Sequence, residues 1–360
     1  MQGIELSRRF YNDVVRPWLS ETAPDLRHAA ALSFYGSELL GFDDETSRDH
    51  NWGPRVQLFV SPEAFAQHAR PLVDAFAVAA PSHFLGEPIG WRSRPHPPAD
   101  HAGAAGHVAH GLEIHTIESS LETGLGIAGP ETLDPLDWLG LSEQKLLAFT
   151  AAPLFHDDDG RLGAIRAALA YFPRDVWLYK IACQWRRIAE EQAFVGRAGQ
   201  VGDDLGSRVI AARLARDVMR MGFLLERRYA PYPKWFGSAF ARLPIARSLA
   251  PLLDRALAAD DWPARGEALA EAYLVLAQRQ IADGIGGECE PGIGPYFERP
   301  FATINADDLV AASMGAIADP RLSGLAVIGS LDQVSDATPV LTDTAGSRRM
   351  MEALLGGSEQ

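Results

Sequence analysis

The stretch Tyr35-Gly36-Ser37, followed twelve residues after Ser37 by Asp49-His50-Asn51, decides how this chain is read. A Gly-Ser turn presents backbone amides and a hydroxyl to an anion as large as a triphosphate. Residues two apart on a strand point to one face, so Asp49 and Asn51 share a pocket while His50 faces the other side. Magnesium takes hard oxygen ligands, chiefly carboxylates and phosphates. The spacing therefore points to phosphate chemistry around Mg2+, with Asp49 and Asn51 as ligands. Asn51 brings a carbonyl oxygen but no charge. One ion held firmly by Asp49 is expected, with a second recruited by substrate phosphates or absent. The plainer reading of Asp49-His50-Asn51 is a polar turn ahead of a strand.

Working outward, Ala29 to Tyr35 is a short apolar run that ends in the Gly-Ser turn, and its length favours a strand. Glu38 to Arg48 reads as loop, and its acids Asp43, Asp44 and Glu45 as solvated. Val56, Leu58 and Val60 alternate with Gln57 and Phe59 as in a strand, and Gly53-Pro54 interrupts the ladder just before it. Ser61-Pro62-Glu63 supplies a cap, a first-turn proline and an early acid for a helix reaching Ala80. Leu112-Glu113-Ile114-His115 is a second strand, with Leu112 and Ile114 on one face and Glu113 and His115 on the other. Glu113 is thus the candidate third acid, either as a metal ligand or as a general base toward an acceptor hydroxyl. Arg48 and Arg55 flank the metal segment; each suits a bidentate phosphate contact or a salt bridge to the loop acids. The histidines at 96, 101, 107, 110 and 115 cluster in sequence, but no spacing typical of zinc ligands accompanies them, and a loop is the simpler reading.

Residues 4–20 carry apolar positions at helical spacing and form an amphipathic opening helix. From about residue 135 the pattern turns helical. Trp138 to Phe149, Leu162 to Tyr171, Arg174 to Arg197, Asp203 to Glu226, Ala264 to Asp283 and Ala306 to Ile317 are helix candidates. The third and fourth meet at the short Gly199-Gln200-Val201-Gly202 turn, which makes them an antiparallel pair. The expected architecture is α+β: a mixed-sheet domain over residues 1–150 and a mostly helical domain over 151–360.

The chain has 360 residues, a net charge of −14, 47% hydrophobic and 22% charged residues. That length supports two domains with a large core. The negative balance argues against a nucleic-acid partner, which needs a basic surface. No uninterrupted apolar run approaches the roughly 18–20 residues of a membrane span, and no membrane partner is expected. Two cysteines without metal-ligand spacing, and an opening segment without a signal-like apolar run, suggest a reduced, cytoplasmic protein.

Tyr35-Gly36-Ser37 through Trp52-Gly53-Pro54-Arg55 resembles a bacterial family, the domain of unknown function numbered 4037, whose members look like two-domain nucleotidyltransferases. Arg228-Tyr229-Ala230-Pro231-Tyr232-Pro233-Lys234-Trp235-Phe236 resembles its central helical signature, and Arg299-Pro300-Phe301 and Ile328 to Asp336 its late motifs. The wider resemblance, to aminoglycoside and lincosamide nucleotidyltransferases, rests on Gly36, Ser37 and Asp49; position 51 departs from it. It implies an N-terminal mixed-sheet catalytic domain, a C-terminal helical domain, and a pocket for an NTP, chiefly ATP, and a small-molecule acceptor. Tyr232 and Lys234 sit on a turn fixed by Pro231 and Pro233; they suit an anionic or ring-shaped ligand, or a packed corner with a solvent-reaching lysine. Arg186, Arg187, Arg220 and Arg227 read as solvated helix faces or partners of Glu190, Glu191 and Glu226.

Three functions remain in play. The first is Mg2+-dependent transfer of a nucleotidyl group from an NTP to a small molecule, with Asp49, Asn51 and Glu113 catalytic and Gly36, Ser37, Arg55, Tyr232 and Lys234 holding the nucleotide or its acceptor. The second is a nucleotide- or ligand-binding protein weakened in catalysis by Asn51. The third is the same fold turned to small-molecule chemistry without a nucleotide.

Overall fold

A four-stranded mixed sheet anchors the first part of the chain. The computed structural model of the protein describes residues 1–46, 52–89 and 110–356. Its strands are β1 (Ala29–Ala31), β2 (Val56–Phe59), β3 (Leu112–His115) and β4 (His156–Asp157), in the order β3-β2-β1-β4. β1 runs antiparallel to β2 with Ala30 opposite Leu58, and antiparallel to β4 with Ala30 opposite His156. β2 runs parallel to β3, which places Gln57 beside Glu113. The parallel step needs a crossover, and the helix Pro62–Ala79 lies within it. Ser61 caps that helix as its sequence predicts, accepting from the Ala64 amide at 3.1 Å, a bond worth about 1 kcal/mol.

The sheet has two unlike faces. Ala30, Val56, Leu58, Leu112 and Ile114 join one apolar cluster with Phe10, Tyr11, Val15 and Leu19 of the opening helix and Leu72 and Phe76 of the crossover helix. The opening helix runs as Gly3–Phe10, a π-helical turn Tyr11–Val15, and Arg16–Thr22. The opposite face carries Gln57, Glu113 and, further along, Phe59 and His115, whose rings lie 6.2 Å apart. All four residues of β2 are buried, so its apolar-polar alternation marks two covered faces and not an inside and an outside.

The chain forms two compact units, one of residues 1–132 and 145–170, the other of 133–144 and 171–360. The strand-to-helix change in sequence suggests one boundary near 150, but two segments change places around it. β4 is needed to complete the first sheet. Arg166 is buried there, donating to Ala152 O, Leu32 O and Ser33 Oγ at 2.7, 2.8 and 3.0 Å. Glu143, in contrast, is bound into the second unit.

The second unit is mostly helical. The helices Arg174–Glu191 and Asp204–Leu225 run antiparallel, joined through a further short helix, Phe194–Gln200. Their pairing shows in the bonds Trp177 Nε1 to Leu224 O (2.7 Å), Gln184 Nε2 to Asp217 Oδ1 (2.9 Å) and Arg213 to Glu191 (2.9 Å). Helix Trp262–Ala282, capped by Asp261, packs on Asp204–Leu225 and Ala246–Ala258. The expected helix over 138–149 is two, Pro135–Leu139 and Glu143–Thr150, because Gly140 follows the first turn and breaks it. A hairpin, β5 (Ile293–Tyr296) and β6 (Arg299–Ile304), follows. The architecture is α+β. Among the described residues, no helix is long and apolar enough to cross a membrane.

Candidate functional site

The Gly-Ser turn follows β1 closely. Gly36 has φ 104° and ψ 133°, a conformation that L side chains rarely adopt, and Ser37 opens the short 3-10 turn Ser37–Leu40. A Cβ on Gly36 would land on the Glu38 carboxylate and the Arg55 guanidinium. Those two form a buried ion pair, each side chain 2% exposed, with Arg55 Nε donating to Glu38 Oε1 at 3.0 Å. Arg55 Nη2 also donates to Tyr35 O at 2.6 Å, and the guanidinium lies 4.4 Å from the Tyr35 ring centroid.

Arg55 is therefore a buried clamp on the turn, not an open phosphate arm as its position suggests. Its partner is Glu38, not the later loop acids, because Glu38 sits one residue past Ser37 and folds back under Gly36. Asp43 is likewise not simply solvated: it accepts from the Gly3 amide of the opening helix.

On the same side of the sheet, three donors among the described residues reach Glu113. Tyr35 Oη donates to Oε1, while Gln57 Nε2 at 3.1 Å and His115 Nε2 at 3.2 Å share Oε2. Burial alone would raise the Glu113 pKa, but the bonds from His115, Tyr35 and Gln57 outweigh it and hold the carboxyl well below its usual range. Glu113 is thus a fixed anion. Beside it, Gln57 Oε1 is buried with no hydrogen-bond partner among the described residues. A buried carbonyl oxygen without a donor costs on the order of 1–3 kcal/mol. A hard cation at this point would satisfy both the amide oxygen and the carboxylate. Gly36 and Ser37 are brought to Glu113 through their neighbour Tyr35. Asp49 and Asn51, with Arg48 and the histidines at 96, 101 and 107, lie outside the described residues.

The second unit holds a separate polar cluster. Lys180 is fully buried and pairs with Glu143 at 2.9 Å, donates to Ser330 Oγ at 2.6 Å, and sits 4.3 Å from the Phe172 ring centroid. Glu143 Oε2 accepts from the Ala230 amide, and the Glu143 amide donates to Asp332 Oδ2, each at 2.9 Å. Burial opposes the Glu143 charge, but Lys180 and Arg220 outweigh it and lower the pKa. Asp332 is the reverse: burial and the Glu143 charge push it up to about 6. Gln333 locks this loop to the helix through bonds to Lys180 O (2.9 Å) and Gln184 Oε1 (3.1 Å).

Against this cluster lies a cavity of about 230 Å³ whose lining includes Gln144, Arg216, Arg220, Tyr232, Phe236 and Asp332. Arg216 pairs with Asp336 at 3.0 Å, and the Arg220 guanidinium lies 5.8 Å from the Phe236 ring centroid. The central and late motifs thus meet in one place. Tyr232 lines the cavity. Lys234 does not; it is exposed with Nζ 4.8 Å from the Trp235 ring centroid. Arg220, read as a solvated helix position, faces the cavity, and Arg186 and Arg187 pair with Asp307 and Asp217 instead of their expected glutamates.

Glu143 and Lys180 escape a sequence reading that tracks motifs. A signal for Lys180 exists: it interrupts the apolar run Val176-Trp177-Leu178-Tyr179 and Ile181-Ala182-Cys183, and a lysine inside such a run must find a buried partner.

Residues 138–236 match the family model described as a domain of unknown function, DUF4037. The motifs at 35–55 and 299–336 lie outside the matched range. None of the curated proteins matches the chain. Among solved structures, a nucleotidyltransferase-like protein from Exiguobacterium sibiricum 255-15 is similar at a TM-score of 0.34 and 10% identity, over 78% of this chain and 81% of that one.

Proposed function

We propose that the protein is a nucleotidyltransferase that moves a nucleotidyl group from an NTP, chiefly ATP, to a small-molecule acceptor with Mg2+. The observation that carries the reading is the pairing of a fixed Glu113 carboxylate with Gln57 Oε1, which has no hydrogen-bond partner among the described residues, tied through Tyr35 to the Gly36-Ser37 turn. Glu113 and Gln57, with Asp49 and Asn51 contributed from elsewhere in the chain, are the residues that would hold Mg2+. The ion would neutralise charge on the phosphates and the leaving pyrophosphate. Gly36 and Ser37 would hold the phosphates. Glu113, with its pKa held low and three donors on it, is a poor proton acceptor; its depressed basicity favours anchoring a cation over acting as base. Arg55 and Glu38 keep the turn in shape.

The second unit's cavity, with Arg216, Arg220 and Tyr232 on its wall, suits a small ligand that combines an anionic group with a ring. We assign Tyr232 to that ligand; Lys234 lies exposed beside Trp235.

The test is Mg2+-dependent pyrophosphate release from each of the four NTPs in the presence of a metabolite pool. Release that needs both Mg2+ and acceptor, and that falls at least about 100-fold in Glu113→Gln, is the expected result. Tight NTP binding without release, unchanged by Asp49→Ala, would instead favour a binding protein. Absence of nucleotide binding, with a metabolite raising the melting temperature, would point to non-nucleotide chemistry on the same fold.

A further inference from the structure

A second cluster of ligating groups sits on the other face of the sheet, at the free end of β1. His156 lies opposite Ala30 in the β1–β4 ladder, so it projects toward the helix-covered side, away from Glu113. His28 precedes β1 by one residue and shares the side of Ala30. Asp158 follows β4, donating its amide to His28 O at 3.2 Å and accepting from the His28 amide through Oδ2 at 2.9 Å.

We propose that His28, His156 and Asp158 form a binding site for a divalent transition-metal ion, zinc first among them, which pins the two-residue edge strand β4 to β1. One ligand atom from each lies within 4.8 Å of the others. His156 Nε2 is 2.8 Å from Asp158 Oδ1, and His28 Nδ1 is 3.8 Å from Asp158 Oδ2. Zinc bonds nitrogen and oxygen at about 2.0–2.2 Å in a tetrahedron, so its ligand atoms stand roughly 3.3–3.5 Å apart. The two distances bracket that edge, and small side-chain rotations would close the set. Two imidazoles and a carboxylate are borderline donors that suit zinc, cobalt or nickel and do not suit magnesium.

The surroundings are those of a held ligand. Tyr11 Oη contacts His28 Nε2 at 2.8 Å, while Nδ1 faces both Leu26 O at 3.1 Å and Asp158 Oδ2 at 3.8 Å, so an ion on Nδ1 would replace its bond to the Leu26 carbonyl. Tyr11 stands at the start of the π-helical turn Tyr11–Val15, and its ring stacks on His156 with centroids 6.1 Å apart. A hydroxyl on the far nitrogen of a metal-bound imidazole fixes its tautomer and orientation. The neighbouring Arg27 is engaged, bonding Asp158 O and the Asp159 carboxylate. Asp157 is occupied by the Gly163 amide at 2.8 Å and is not a ligand. Three protein ligands leave a fourth position for water.

The experiment uses the full chain, stripped with chelator and titrated with Co2+ and then Zn2+ at pH 7.5. One equivalent of Co2+ giving visible d–d absorption, displaced by one equivalent of Zn2+, is expected, together with a raised melting temperature. His156→Gln and Asp158→Asn should each weaken Zn2+ binding by about 100-fold or more, and Tyr11→Phe by about 10-fold. Glu113→Gln should leave the titration unchanged. Circular dichroism confirms that each variant is folded. The half-exposed His156 is the variant that decides if the others fail to fold. Zn2+ binding unaltered in folded His156→Gln and Asp158→Asn, or no stoichiometric binding tighter than about 10 μM in the parent chain, would overturn the site.

Discussion

The Tyr35 hydroxyl donates to Oε1 of Glu113, so the residue ahead of the Gly-Ser turn is tied directly to the edge strand. The bond joins positions 78 apart in sequence, and it does two things at once. It aims the turn at the sheet, and it keeps the Glu113 carboxyl ionised against the cost of burial.

Tyr35→Phe keeps the ring over Arg55 and removes only the donor. A hydrogen bond to a charged group contributes about 1.5–3 kcal/mol, so the variant should lose that much stability at pH 7. The Glu113 pKa in the folded protein lies below its unfolded value. The stability it contributes is therefore fully present above the ordinary carboxylate range and is lost as pH falls through the folded value. In Tyr35→Phe that folded value rises, and the gap between variant and parent should narrow in strong acid. Urea unfolding from pH 7 down to pH 2 measures it. A gap independent of pH would mean that Tyr35 acts only by packing.

Gly36→Ala forces a Cβ into a backbone with φ 104° and onto the Glu38–Arg55 pair. The backbone strain alone is of order 1–3 kcal/mol. The clash adds displacement of a buried pair whose rupture costs about 3–5 kcal/mol. The expected outcome is a melting temperature lowered by several degrees and loss of whatever NTP binding the parent shows. Near-parental stability with NTP affinity intact would remove the turn from the phosphate site.

Three of the sheet's four strands and the helical pair are legible in the sequence because periodicity and caps are local signals, whereas the two-residue strand His156–Asp157 is too short to show a period. Leu112 and Ile114 alternate with Glu113 and His115, and Ser61-Pro62-Glu63 announces its helix. What the sequence hides is partner choice. Arg55 looks the same whether it meets a phosphate or Glu38, and only the positive φ of Gly36 decides it. The exchange of 133–144 with 151–170 across the boundary at 150 is hidden for the same reason. Glu143 goes to the second unit because Lys180 lies there, and a buried lysine is visible in sequence only as an oddity within an apolar run. Tyr232 and Lys234, two apart at the start of helix Pro233–Phe240, take different surroundings because the helical turn rotates one toward the cavity and the other to solvent.

Lys180→Met removes the cation and leaves Glu143 buried and unpaired. Breaking one side of a buried pair costs about 3–5 kcal/mol, and the loss should appear as a lower urea midpoint. Lys180→Met combined with Glu143→Leu restores charge balance and should recover a large part of it, because a well-packed apolar replacement is often neutral or better. The recovery is limited by the Ala230 amide, which loses its acceptor. A double variant no more stable than the single one would show that the Glu143 carboxylate is worth more to the Ala230 amide than to Lys180.

Asp332 gives the opposite pH dependence. Its pKa in the folded protein, pushed up to about 6 by burial and the Glu143 charge, lies above the ordinary 3.8. Between those values the folded protein keeps a proton that the unfolded chain gives up, so stability falls as pH rises through this window and stays lower above it. Asp332→Asn deletes the titration while its carbonyl still accepts from the Glu143 amide. The variant should match the parent near pH 4 and exceed it at pH 7 by on the order of 2 kcal/mol. Thermal or urea unfolding at pH 4, 5, 6 and 7 reads the difference directly. If ligand binding in the neighbouring cavity needs the Asp332 carboxylate, the same variant will be more stable but will no longer gain melting temperature from that ligand, which separates a structural from a binding role for the residue.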